Sequence, residues 1–143
     1  MNNYDINRQM MNFNITNNVN STNSNNNLSG LYTGFIRGNM FPSLYDQYKN
    51  YQPAMINPKN EREQYLLDLN QVQFAMHDIH LYLDNFPNDT VMINEFNKNR
   101  EIYNDILRDY ESKYGPIVIS SDSLKGSPWH WNNEPWPWEG SGN

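Results

Sequence analysis

Cysteine is absent from the 143 residues, which excludes disulfides, thiolate metal sites and a cysteine nucleophile. Production in a reducing cytoplasm accounts for that absence. Basic residues are sparse as well: 10 Lys and Arg stand against 16 Asp and Glu, the net charge is −6, and the cations never cluster. A nucleic-acid backbone or an anionic membrane would be met by grouped Lys and Arg, so neither is expected as the main partner. No apolar run approaches the length that spans a bilayer. The first residues also lack the basic start and apolar core of a signal peptide, so export by the usual secretory route is not expected. Catalytic signatures are missing too. Ser120, Ser121 and Ser123 lie in a polar stretch without a Gly-x-Ser-x-Gly elbow, and no Gly-Lys-Ser/Thr phosphate loop or Glu-x-x-His pair occurs. The expectation is a protein that is not an enzyme and carries no cofactor.

What the sequence does hold is a pair of amphipathic segments between Asn60 and Gly115. In the first, Tyr65, Leu69, Val72, Met76, Ile79, Leu83 and Phe86 recur at steps of four and three, one stripe of a helix. In the second, Ile93, Phe96, Tyr103, Leu107, Tyr110 and Tyr114 do the same, with Arg100 intruding where an apolar residue is due. About five residues around Asn85-Phe86-Pro87-Asn88-Asp89 join them, too few for parallel packing, so an antiparallel hairpin is expected. Asn60 supplies an N-cap oxygen and Glu63 is placed to reach back to the Asn60 amide. At the far end Tyr114-Gly115-Pro116 offers a glycine for a left-handed cap and a proline that bars continuation. Leu67, Phe74 and Leu81 repeat every seven residues on the opposite side of the first helix, and one partner helix cannot cover both faces.

The flanks differ in kind. Residues 1–29 are dominated by asparagine, as in Asn23-Ser24-Asn25-Asn26-Asn27, and hold too few apolar side chains to offset ordering entropy, so a disordered tail is expected. Residues 30–59 carry glycine at every fourth position (Gly30, Gly34, Gly38) and then Tyr45, Tyr48, Tyr51, Pro53 and Pro58. Because glycine weakens a water-exposed helix and Arg37 forbids a membrane span, this region reads as an extended, turn-rich arm. Ile117-Val118-Ile119 is a short β-prone run, and Ser120 to Ser127 reads as a loop. All four tryptophans fall in Pro128-Trp129-His130-Trp131 and Pro135-Trp136-Pro137-Trp138-Glu139, where proline prevents a helix. The expected organisation is therefore all-α: a disordered tail (1–29), an extended arm (30–59), a two-helix hairpin with an extended Trp/Pro-rich C-terminal tail (60–139) and a disordered end (140–143).

Candidate sites follow from these faces. Leu67, Phe74 and Leu81 on the hairpin, Phe35, Phe41, Tyr45 and Tyr48 on the arm, and Trp129, Trp131, Trp136 and Trp138 at the end are the candidate partner-binding residues. Three readings of the tryptophan tail stand side by side: it folds over the second face of its own hairpin, docks into a partner, or forms an aromatic platform for a sugar ring. The one grouping with metal-ligand character is His77, His80 and Asp84, with Gln73 on the same flank, a set that zinc or manganese would suit. A hydrated polar flank explains the same residues, so no metal site is assigned.

Phe74-Ala75-Met76-His77-Asp78, Leu81-Tyr82-Leu83-Asp84 ahead of Phe86-Pro87-Asn88-Asp89, Tyr110-Glu111-Ser112-Lys113-Tyr114-Gly115-Pro116 and the two tryptophan blocks together resemble the CotJB family of bacterial spore coat proteins, over about residues 61–139. Residues 34–44, Gly34-Phe35-Ile36-Arg37-Gly38-Asn39-Met40-Phe41-Pro42-Ser43-Leu44, are similar to a stretch of the small companion protein CotJA. The resemblance implies a structural component of the endospore coat, made in the mother-cell cytoplasm and acting as a protein–protein adaptor. Its implied partners are other coat proteins, especially a CotJC-like manganese catalase and a CotJA-like protein, with a homo-oligomer left open. The rival expectation is a metal-handling accessory of that catalase acting through His77, His80 and Asp84; a glycan-binding tryptophan platform is the third.

Overall fold

The computed structural model describes residues 28–46 and 48–132. Its first element overturns the extended reading of the arm, because Leu31–Arg37 is a short α-helix, α1. The three glycines that counted against a helix are its start, its contact point and its stop. Gly30 C=O accepts from Gly34 N–H at 2.8 Å at the start. Gly34 is buried, and a Cβ there would collide with Met40 Sδ. Gly38, at φ 72° and ψ 24°, takes the left-handed conformation that costs glycine little. Gly38 N–H then bonds Phe35 C=O (3.2 Å) and Asn39 N–H bonds Gly34 C=O (3.0 Å), the paired closure common at helix ends.

Beyond α1 the chain turns through a 3-10 segment, Pro42–Leu44, and the described residues from 45 to 60 carry no helix or strand. Two long helices follow, α2 (Glu61–Asn85) and α3 (Thr90–Tyr114), each 25 residues and so about 37 Å long. Asn60 Oδ1 accepts from Glu63 N–H at 2.9 Å, as the sequence predicts. Glu63 reaches back as well, its Oε1 accepting from the Asn60 side-chain amide (3.2 Å) and its Oε2 from the Lys59 backbone N–H (2.7 Å), one residue before the Asn60 backbone amide. Asp89 opens α3, with Oδ1 accepting from Val91 N–H (3.0 Å) and Met92 N–H (3.1 Å). Gly115 ends it at φ 87° and ψ 176°, an extended positive-φ conformation rather than the left-handed helical one, and essentially open to glycine alone.

The helices pack antiparallel, as their ends show. Arg62 Nε donates to Tyr110 Oη (3.1 Å), Lys113 Nζ pairs with Glu61 Oε1 (2.7 Å) and Tyr114 Oη donates to Glu61 Oε2 (2.8 Å), so the first turn of α2 is clasped to the last turn of α3. The acidic group sits at a helix N-terminus and the cation at a C-terminus, the arrangement the helix dipoles favour. At the other end Tyr82 Oη donates to Asp89 Oδ2 (2.9 Å) across the turn.

Two clusters form the core. Tyr65, Leu69, Val72, Ile106 and Tyr110 make one, and Met40, Phe41, Ala75, Ile79 and Met92 the other, with Leu31 touching both. The stripe expected on α2 is largely this core, although Phe86 lies beyond the helix and is exposed. On α3 the buried line is offset from the expected one. Met92, Asn99 and Ile106, seven apart, face inward, flanked by half-buried Phe96 and Tyr103 and by buried Tyr110. That offset explains Arg100: it is exposed, and the inward place belongs to Asn99, whose amide donates to Glu95 C=O at 2.8 Å.

Among the described residues there is no strand, so the β-prone run Ile117-Val118-Ile119 stays irregular; Ile117 packs on the first cluster and Ile119 is exposed. Part of the expected Ser120–Ser127 loop is a 3-10 turn, Asp122–Lys125, that buries Leu124. Glu111 anchors this returning chain by accepting from Ile117 N–H (3.3 Å) and Ser121 Oγ (2.6 Å).

Candidate interaction surface

Because α2 is apolar on two sides, what covers its second side decides which surface is left for others. Among the described residues the cover is the arm. The α1 side chain of Phe35 meets Phe74 edge-on, with ring centroids 6.0 Å apart. Phe41 stacks on Tyr82 at 5.0 Å with 22° between planes, and Tyr82 in turn leans on Phe86 at 4.7 Å. Between the two aromatic contacts Met40 N–H donates to Asp78 Oδ2 at 2.7 Å, a charge-assisted bond on a partly buried amide. Burial of apolar surface thus holds the arm to α2, and one carboxylate fixes its register.

The candidate residues separate accordingly. Phe41 and Leu67 are buried in the chain's own interior, and Phe35 and Phe74 are half-buried against each other. Tyr45 is half-buried with the Arg37 guanidinium 5.5 Å above its ring. Left outward are Tyr48 at 83% exposure, Leu81 at 49% and Trp129 at 53%, while Trp131 is half-buried. Trp136 and Trp138, residues 1–27 of the asparagine-rich tail and the C-terminal end lie outside the described residues. Of the residues expected in that tail, Leu28 packs on the second cluster and Ser29 N–H bonds Met40 C=O.

Sequence reasoning missed Asp78, Tyr82 and Met40, which fix the arm on α2; the chain that follows, from Leu44 to Lys59, is a tether between arm and hairpin. Leu44 just before Tyr45, and Tyr48, Tyr51, Met55 and Ile56 after it, are all exposed. Tyr32 on α1 catches this segment on its return, its hydroxyl accepting from Ile56 N–H at 2.9 Å. The signal that could have revealed the ordered arm is the glycine spacing, which from sequence alone counts against a helix: Gly30 and Gly38 bracket one short helix and Asn39 follows the stop.

His77, His80 and Asp84 are all exposed, and His80 Nε2 lies 3.6 Å from Asp84 Oδ1. Among the described residues no three of His, Cys, Asp and Glu converge as metal ligands. No helix among the described residues is long and apolar enough to cross a membrane. Electrostatics at the two hairpin ends are those of structural ties. The amide of Met92, the Tyr82 hydroxyl and the Val91 amide hold the Asp89 carboxyl below the ordinary aspartate value of 3.8. Burial first of all pushes the Tyr65 phenol above its ordinary 10.0, and donation to the Glu61 carboxylate first, then to the Tyr65 oxygen, raises the Lys113 ammonium.

Among the described residues the chain is an all-α domain, a two-helix hairpin tied at both ends with a short N-terminal helix docked on it. Residues 63–139 match the CotJB protein family, more than half of the chain, and the chain belongs to that family. Membership makes it a spore coat protein. No curated protein and no solved structure matches the chain.

Proposed function

We propose that this spore coat protein is a non-enzymatic assembly adaptor that binds a neighbouring coat protein, a manganese-catalase-like one, through its aromatic tether and tryptophan end. The observation that carries this reading is the tether. Met40 and Phe41 are part of the core, yet further along the chain Leu44 (69% exposed), Tyr48 (83%) and Met55 (66%) stand outward. Large apolar side chains held on a surface in this way are the raw material of a contact with another protein. Trp129, exposed beside half-buried Trp131, adds an anchor of the kind that dominates interfaces. In this reading Phe35, Phe41, Leu67 and Phe74 position the tether from within, and Tyr48, Leu81 and the tryptophans meet the partner.

The test is capture from an extract of sporulating cells on immobilised full-length protein. The wild-type chain is expected to retain the catalase-like coat protein, and a chain with Leu44, Tyr48 and Met55 all changed to Ser is expected to lose it. Equal capture by both rejects the tether's role.

A further inference from the structure

We propose that residues 28–44 form a plug that docks on the α2 face of a second copy of this chain as well as on its own, so that neighbouring molecules are joined by exchanging arms. The first ground is that the plug's backbone hydrogen bonds close on the plug. Ser29 N–H bonds Met40 C=O at 2.7 Å, Asn39 N–H bonds Gly34 C=O, Phe41 N–H bonds Asn39 Oδ1 at 2.6 Å and Leu44 N–H bonds Phe41 C=O. Its tie to the hairpin is made by side chains, Phe35 on Phe74, Phe41 on Tyr82, and Met40 and Phe41 in one cluster with Ala75 and Ile79 of α2 and Met92 of α3, plus the Met40 amide on Asp78. Moving it to another hairpin therefore rebuilds every contact without unmaking a helix or a sheet, the condition under which swapping is cheap.

The second ground is the connection. Residues 45–59 carry no helix or strand where described, and 15 residues reach about 50 Å when extended. The bond from Ile56 N–H to Tyr32 Oη, which folds the tether back, is exposed and is the contact an extended tether gives up. The third ground is that the family match begins at residue 63, so the α2 face that receives the plug belongs to the family segment and the plug lies outside it. Socket and plug are separable parts. Because they are different surfaces of one molecule, a one-way exchange continues from copy to copy and a reciprocal one closes a pair.

Mass action sets when this happens. A flexible tether of this length gives the plug an effective concentration for its own socket on the order of millimolar, so self-docking prevails in dilute solution and exchange takes over as chains are packed together. This goes beyond the adaptor reading and does not depend on the identity of any other coat protein.

The natural absence of cysteine makes the test direct. A Phe35→Cys chain and a Phe74→Cys chain, each otherwise intact, are mixed across a concentration series up to the millimolar range and treated with a short bifunctional thiol reagent. The expected product is a heterodimer bridged between positions 35 and 74, in about tenfold excess over either homodimer at the top of the series and falling on dilution. The doubly substituted chain is expected to close on itself in dilute solution, which shows that the reagent reads this contact. Internal closure of the double variant with no heterodimer from the mixture at any concentration overturns the proposal. Failure of the double variant to close overturns it too, since the plug would then not sit on α2 at all.

Discussion

Gly38 and Gly115 both sit at positive φ, but they do different work. Gly38 is left-handed with open space where a Cβ would go, so Gly38→Ala costs only the backbone conformation, about 1 kcal/mol. At Gly115 the same φ is combined with an extended ψ, and Gly115→Ala is expected to cost more, roughly 1–3 kcal/mol. Urea unfolding of the two variants orders them. Asn60 caps α2 through its side chain, and Asn60→Ala is expected to lower stability by about 1 kcal/mol in the same assay. Tyr65 gives a pH signature. Its folded phenol is raised above the unfolded value of 10.0 chiefly by burial, so its contribution is complete below pH 10.0 and is lost as pH climbs through the folded value. The melting temperature of wild type is expected to fall above that pH, and Tyr65→Phe to flatten the fall.

At the level of elements, α2 separates a packed position from a bare one two residues away. Ile79 is fully buried in the second cluster and Leu81 is half-exposed. Ile79→Ala is expected to cost about 2–5 kcal/mol, whereas Leu81→Ala stays within about 0.5 kcal/mol. The arm answers to Asp78. Asp78→Ala removes the acceptor of the Met40 amide, so hydrogen exchange at Met40 is expected to quicken while amides around Ile106 are unchanged. Unchanged protection at Met40 would show that the apolar contacts alone hold the arm. The hairpin was legible in the sequence because its determinants are local: a step of three and four along α2, the Asn60 and Asp89 caps and the Gly115-Pro116 stop all act within a few residues. The exact inward line of α3 was not, because Ile93 and Met92 are both apolar and only packing chooses between them. Nor was α1, since the cost of Gly34 inside a helix is offset by the close approach of Met40, a contact visible only in three dimensions.

For the molecule as a whole, the ends are held by charge and ring contacts and the middle by burial. Lys113 and Glu61 are 35% and 52% exposed, so their pair is screened and Lys113→Ala is expected to cost under about 1 kcal/mol, a difference that shrinks as salt is raised. The interaction surface was read from the sequence in its ingredients but not its layout. The sequence predicts a second face on α2 that needs covering, and among the described residues the arm meets it. What a sequence shows is that a face needs covering; which segment arrives first depends on tether length and shape together.

Tyr82 gives the layout a last property. One ring is shared by Phe41 of the arm and by exposed Phe86 of the hairpin turn, while its hydroxyl holds Asp89. Any visitor that draws Phe86 away for its own use must therefore loosen the support beneath Phe41. By reciprocity, a chain whose arm has departed offers that visitor a freer Phe86 by the same factor.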